Sequence, residues 1–144
     1  MSELFLLAEI DGAMIAIESD VVESVVRVQD FIPVPRVDPL VAGIFALRSR
    51  VLTLIDTQFA VTEKQKPVPE NALAIIAQIG GFHFGLLVDA VKDVVTVHPD
   101  QYETSIKAGS NWMQYSKGLV DVDGQIVVII CPAKIVEGKQ DMAA

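Results

Sequence analysis

Apolar residues in this chain come in short runs rich in Val and Ile, broken by glycines and charged residues. β-Branched side chains lose rotamer freedom in helices and pack well on a pleated surface, so such runs predict strands. The runs are Leu4–Ile10, Ala13–Ile17, Val22–Val28, Gly43–Leu47, Arg50–Asp56, Ala72–Ile79, Phe82–Val88, Val91–Val97, Lys117–Val122 and Gln125–Ile130. Asp11-Gly12, Gly80-Gly81 and Asp123-Gly124 each separate two of them, a strong local hairpin signal. Short helices are predicted over Asp56–Ala60 and Pro132–Val136, with Pro132 suited to a first helical turn. Many short strands with frequent turns predict a mainly β barrel or sandwich.

The chain also repeats itself. Residues Ile10–Val28 align without gaps on Ile79–Val97, with Gly12/Gly81, Asp20/Asp89, Val22/Val91 and Val25/Val94 identical. Residues Gly43–Val61 align without gaps on Gly118–Val136, and apolar positions coincide at Val51/Ile126, Leu54/Ile129 and Ile55/Ile130. Both blocks recur in the same order, which predicts two copies of one five-stranded unit. The polar, proline-bearing stretch Lys64–Asn71 reads as their connection. One domain over residues 1–144 is thus expected to contain subdomains at about 10–63 and about 72–136, with the partner of strand Leu4–Ala8 left open. Each copy alone is small for independent stability, so the two are expected to share an apolar interface.

Composition narrows the class. The hydrophobic fraction is 51%, too high for a disordered chain. The net charge is -8 with only 11 Lys and Arg, unclustered, which argues against nucleic acid and anionic membranes as partners. No apolar run approaches the roughly 20 residues of a membrane helix, and no positively charged leader precedes one. The single Cys131 excludes an internal disulfide and makes a reducing cytoplasm the expected compartment. The charged residues within 1–30 are all acidic apart from Arg27, whereas 36–66 contain Arg36, Arg48, Arg50, Lys64 and Lys66.

Candidate chemistry is sparse. His83 lies in an alternating strand and reads as a cross-strand surface residue, and His98 before Pro99 reads as loop. One cysteine cannot complete a zinc site, and Cys131 after an apolar strand reads as a buried, inert thiol. No P-loop or nucleophile elbow occurs, so no catalytic, metal or cofactor site is expected. Trp112 reads as a loop residue that either caps a junction or anchors a contact. The segment 30–43 is stiffened by Pro33, Pro35 and Pro39, and it leads into a hairpin turning on Arg48-Ser49-Arg50. An Arg on a rigid hairpin can grip carboxylates through its planar fork.

These last residues carry a family resemblance. VPRVDPLVAGIFALRSRVLTLIDT, GFHFGLLVDAVKDVVTV and KGLVDVDGQIVVII are similar, in order and spacing, to segments of the CheW family of chemotaxis coupling adaptors. The resemblance covers about Leu4–Val136, nearly the whole chain. Four positions depart from the family pattern: Ser49 where Gly follows Leu-Arg, Ala46 where Asn is common, Thr57 where Leu is usual, and Cys131 where Asp is frequent.

The resemblance implies two five-stranded, SH3-like β-barrels packed on a shared core, with short helices and no enzyme activity or cofactor. It implies a cytoplasmic adaptor, associated with receptor arrays, between the tips of methyl-accepting chemoreceptors and the regulatory domain of a CheA-type histidine kinase. It implicates Arg48, Val22, Gly43, Gly85, Val91 and Val94 in partner binding. Two alternatives stand beside it: a scaffold of the same fold in a pilus or surface-sensing pathway, and a small-molecule-binding β-barrel. The last needs a deep pocket with convergent polar groups, and no such cluster shows in the sequence.

Overall fold

A computed structural model of the chain describes residues 3–29, 31–33, 40–62, 68–103 and 116–135. The apolar runs form strands β1 (Glu3–Ile10), β2 (Ala13–Glu18), β3 (Val22–Arg27), β4 (Phe31–Pro33), β5 (Val41–Leu47) and β6 (Arg50–Ile55), then helix α1 (Thr57–Thr62). The second half gives β7 (Leu73–Ile79), β8 (Phe82–Val88), β9 (Ala90–Val97), β10 (Tyr102–Glu103), β11 (Ser116–Val122) and β12 (Gln125–Ile130). A short helix, α2, follows at 132–135. Trp112, Pro35, Pro39, Val136 and residues 64–67 of the connection lie outside the described residues.

The strands form two six-stranded sheets, β10-β11-β12-β2-β1-β9 (sheet A) and β3-β7-β8-β6-β5-β4 (sheet B). Each has one strand more than the five read from the sequence. The extra strands are the short β4 and β10, at the edges. Phe31, Ile32 and Pro33 pair with Phe45, Ile44 and Gly43. An edge tolerates Pro33, which has no N–H to give a ladder.

Neither sheet is built from one copy of the repeat. Sheet A joins the β1–β2 hairpin of the first half to β9–β12 of the second, and sheet B joins β7–β8 to β3–β6. The sheets therefore draw strands across the division at 10–63 and 72–136. The left-open strand 4–8 is resolved too: β1 pairs antiparallel with β2 on one side and β9 on the other.

The exchange is reciprocal in register. Parallel pairs Val128↔Ile15 and Ile129↔Ala16 in sheet A repeat Thr53↔Phe84 and Leu54↔Gly85 in sheet B. The irregularities match as well. β9 skips Lys92 between Asp93 and Val91 where it pairs with β1, and β3 skips its equivalent Glu23 between Ser24 and Val22 where it pairs with β7. Gap-free repetition in sequence is thus repetition of hydrogen-bond register, bulges included.

Burial explains the runs that do not alternate. In β1, Leu6, Ala8 and Ile10 face a core shared by both sheets, while Phe5 and Leu7 face a core within sheet A. In β7, Ile75 and Ala77 face the shared core, while Ala74 and Ile76 face a core within sheet B. Strands covered on both faces read as continuous apolar runs. The shared core also takes Ile15 and Ile17 from β2 and Phe84, Leu86 and Val88 from β8. The two exchanged hairpins are therefore the wall between the sheets.

Asp56 ends β6 and begins α1. It is 3% exposed, and its Oδ1 accepts the N–H of Phe59 at 3.0 Å, the geometry of an N-cap. Its own N–H donates to the carbonyl of Leu40 at 2.7 Å. The helix predicted over Asp56–Ala60 accordingly starts one residue later and runs to Thr62.

Candidate docking surfaces

The β5–β6 hairpin turns on Arg48 (φ 51°) and Ser49 (φ 68°), both left-handed, as a tight two-residue turn requires. Arg48 is exposed at the tip. The next residue, Arg50, reaches back across the sheet. Its Nη1 lies 2.9 Å from Nε2 of His83 on β8 and 3.8 Å from Oε1 of Glu23, the bulged residue of β3. Glu23 Oε2 lies 2.6 Å from the same His83 nitrogen.

Beside this cluster the sheet forks. β6 and β8 pair in parallel only from Thr53↔Phe84 onward. Ahead of that point a shallow groove of about 520 Å³ opens, lined by residues 50–53 of β6 and 81–84 of β8. Val51 and Phe82 stand on its sides, 71% and 67% exposed, the most exposed large apolar residues described. Large apolar side chains left in water next to fixed cations are a docking signature.

The equivalent end of sheet A has the same backbone and the opposite chemistry. Its hairpin turns on Asp123 (φ 52°) and Gly124 (φ 82°). Asp121 Oδ1 accepts the Gly124 N–H at 2.9 Å and clamps the turn. The neighbouring β1–β2 turn carries Asp11, whose N–H donates to Asp89 Oδ2 at 2.7 Å. Glu9 and Lys92 stand 3.9 Å apart. By the repeat, Asp123 replaces Arg48, Gln125 replaces Arg50, and Ala13 replaces Phe82. Ile126, in the place of Val51, is 39% exposed. One end is basic with protruding apolar groups, and the other is acidic and flatter.

The six residues implicated by family resemblance divide between the sheets. Arg48 is exposed. Val22 and Val91 occupy equivalent edge-strand positions, opposite Ala77 and Ala8, and pack against the shared core. Val94 is 51% exposed on edge strand β9 and pairs with Leu6. Gly43 and Gly85 are buried. A Cβ on Gly43 would collide with the Ile32 carbonyl and the Phe31 ring, and one on Gly85 would come within 2.9 Å of the Phe45 ring. These glycines admit neighbouring strands and present no side chain outward.

Sequence reasoning passed over Val51, Phe82 and Glu23, and read His83 as plain surface. The available signal was the repeat itself: Phe82 against Ala13 and Arg48 against Asp123 mark where the copies differ in kind. Cys131, read from the sequence as buried, is instead half-buried: it lies past the end of β12, against an apolar pocket of about 160 Å³ lined by Val21, Ile79 and Ile130. The cavity of about 230 Å³ near Arg27 and Asp56 holds a carboxylate already used as a helix cap. Among the described residues no cluster of His, Cys, Asp and Glu forms a metal site.

Two packed sheets with exposed apolar and charged ends, and no metal cluster among the described residues, have the architecture of a binding module. The chain belongs to the CheW-like domain family, whose model matches residues 4–140. It is 28% identical over 134 residues to the chemotaxis protein CheW of Thermotoga maritima, covering 90% of this chain and 84% of that protein. It is 27% identical to the Bacillus subtilis chemotaxis protein CheW, covering 72% of this chain and 66% of that one. The scaffolding protein TtCheW from Thermoanaerobacter tengcongensis shares the fold, with a TM-score of 0.80 at 20% identity over 94% of this chain and 88% of that structure. Membership makes the chain a scaffold or adaptor and not an enzyme.

Proposed function

We propose that this chain couples chemoreceptors to a CheA-type histidine kinase in the cytoplasm. One observation carries the reading: the basic Arg48 hairpin end of sheet B and the exposed apolar residues at the β9 side of sheet A differ in chemistry, and a shared buried core lies between the two sheets. An adaptor needs this, because two partners must be told apart yet held in one geometry. The Arg48 hairpin with Val51 and Phe82 takes the regulatory domain of the kinase. Val94 on edge strand β9 and Leu4 on the adjoining β1, 51% and 53% exposed, offer an apolar surface for one face of a receptor-tip helix. Val22 and Val91 shape the backs of the edge strands, and Gly43 and Gly85 act from inside by admitting close packing.

The test is kinase autophosphorylation with receptor-bearing membranes, with and without this protein. Receptor-dependent control of the kinase is expected only when it is present. Arg48→Ala is expected to weaken regulatory-domain binding about tenfold, or about 1.4 kcal/mol, with an unchanged unfolding midpoint. Undiminished binding removes Arg48 from the interface, and kinase activity indifferent to the protein removes the reading.

A further inference from the structure

We propose that Asp93 closes the β9 edge of sheet A to strand addition, so that a partner on this edge is read by its side chains and not by backbone pairing. What this says of the receptor rests on reading the β9 edge as its docking surface. β9 ends the order of sheet A, with β1 on one side and no described strand on the other. An edge strand offers its free backbone N–H and C=O groups to any extended chain, including a second copy of this one. The composition of β9 favours such pairing: five of its eight residues are β-branched, and Val94 is 51% exposed. Of the two equivalent edges it is the longer and the barer. β3 has six residues, and its Val25 is 39% exposed.

The pairing is blocked at one atom. Residues of an antiparallel strand alternate in the side to which their N–H and C=O point. Val94 stands opposite Leu6 of β1, yet its N–H donates to Oδ1 of Asp93 at 2.8 Å. That donor therefore points away from β1, into the space an added strand would fill. Asp93 puts a carboxylate there and takes the hydrogen that the added strand needs. A newcomer must break this hydrogen bond and bury the displaced carboxylate, or leave its own carbonyl unpaired beside an anion. One residue earlier the strand bulges: Lys92 is skipped between Asp93 and Val91, and its Nζ lies 3.9 Å from Glu9 Oε2. A bulge twists an edge away from a flat partner, and a lysine on it resists burial. β3 keeps the bulge, at Glu23, but has Ser24 where β9 has Asp93. The carboxylate thus stands on the copy whose edge is barer. It leaves the Val94 side chain open to solvent, where an apolar helix face reaches it without any backbone group of β9.

Two variants of the full-length protein test this. Asp93→Ala removes the acceptor, and Asp93→Asn keeps a side-chain oxygen there without the charge. Self-association, followed by sedimentation velocity over a concentration series, should be about tenfold tighter in Asp93→Ala than in the wild type, because strand addition no longer breaks a charge-assisted hydrogen bond. Asp93→Asn should stay with the wild type. In dilute, monomeric samples the Val94 amide should exchange faster in Asp93→Ala and keep its protection in Asp93→Asn. Equal self-association of Asp93→Ala and the wild type, or a Val94 amide indifferent to Asp93→Ala, overturns the proposal. So does Asp93→Asn associating like Asp93→Ala, which would make charge repulsion, not the occupied N–H, the barrier. Tighter association of Asp93→Ala with no shift of the Val94 methyl signals on adding a receptor-tip helical hairpin supports the closed edge and removes only the receptor-docking reading.

Discussion

The β5–β6 turn is strained in a way its partner in sheet A is not, and repairing it should stabilise the protein measurably. Ser49 holds φ 68° where the equivalent Gly124 holds 82°. A left-handed residue bearing a Cβ costs about 1–2 kcal/mol. Glycine removes that cost but frees the unfolded chain, returning about 0.5–1 kcal/mol. Ser49→Gly should therefore gain about 0.5 kcal/mol. Ala46→Asn places a side-chain oxygen where Asp121 Oδ1 clamps its turn at 2.9 Å. One such hydrogen bond adds about 1 kcal/mol. The double variant should gain about 1.5 kcal/mol, a rise in melting midpoint of about 3–6 °C for a chain of this size. The reciprocal Gly124→Ser should lower the midpoint. Thermal unfolding by circular dichroism reads all three variants. A lower midpoint for Ser49→Gly, or no response to Gly124→Ser, would show that the turn conformation stores no strain and that the comparison between hairpins has been misread.

Other substitutions test other contacts. Asp56→Ala should cost about 1–2 kcal/mol, because the Phe59 N–H loses its cap. Cys131→Asp, which places a carboxylate at the equivalent position before α2, should gain about 1 kcal/mol; urea midpoints check both. Gly43→Ala should cost about 1–3 kcal/mol, since the new methyl meets the Ile32 carbonyl and the Phe31 ring, and amide exchange should quicken at Phe31 and Ile32 as β4 lifts away. An unchanged exchange rate there would mean that the edge strand shifts without cost.

Strand positions and the hairpins were legible because periodicity and turn residues are local signals. The repeat was legible because both copies keep the register that their hydrogen bonds require. Strand exchange was not, since repeats that keep one apolar pattern and register can pair within a copy or between copies. Only the path of the chain after β2 decides which. β4 hid behind three prolines that argue against any strand, and its edge position is a tertiary fact. Arg48 was found as a charge on a turn. Val51 and Phe82 were missed because an alternating strand does not reveal which of its faces the rest of the fold leaves bare.

Exchange of hairpins has a mechanical consequence for an adaptor. Had each repeat closed on itself, two small units would meet at a surface and could tilt. Here β1, β2, β7 and β8 belong to both the shared core and a sheet core, so neither sheet can loosen alone. Leu86 tests this: it is fully buried in the shared core, on β8 of sheet B. Leu86→Ala should cost about 2–5 kcal/mol from lost transfer energy and a residual cavity. Unfolding should remain one transition, and amide exchange should quicken by the same factor in the most protected sites of β6 and of β12, which lie in different sheets. Acceleration confined to β6 would mean that the sheets open independently. Nothing would then fix the Arg48 hairpin end of sheet B relative to the β9 edge of sheet A, and the two-partner geometry proposed for this chain would be lost.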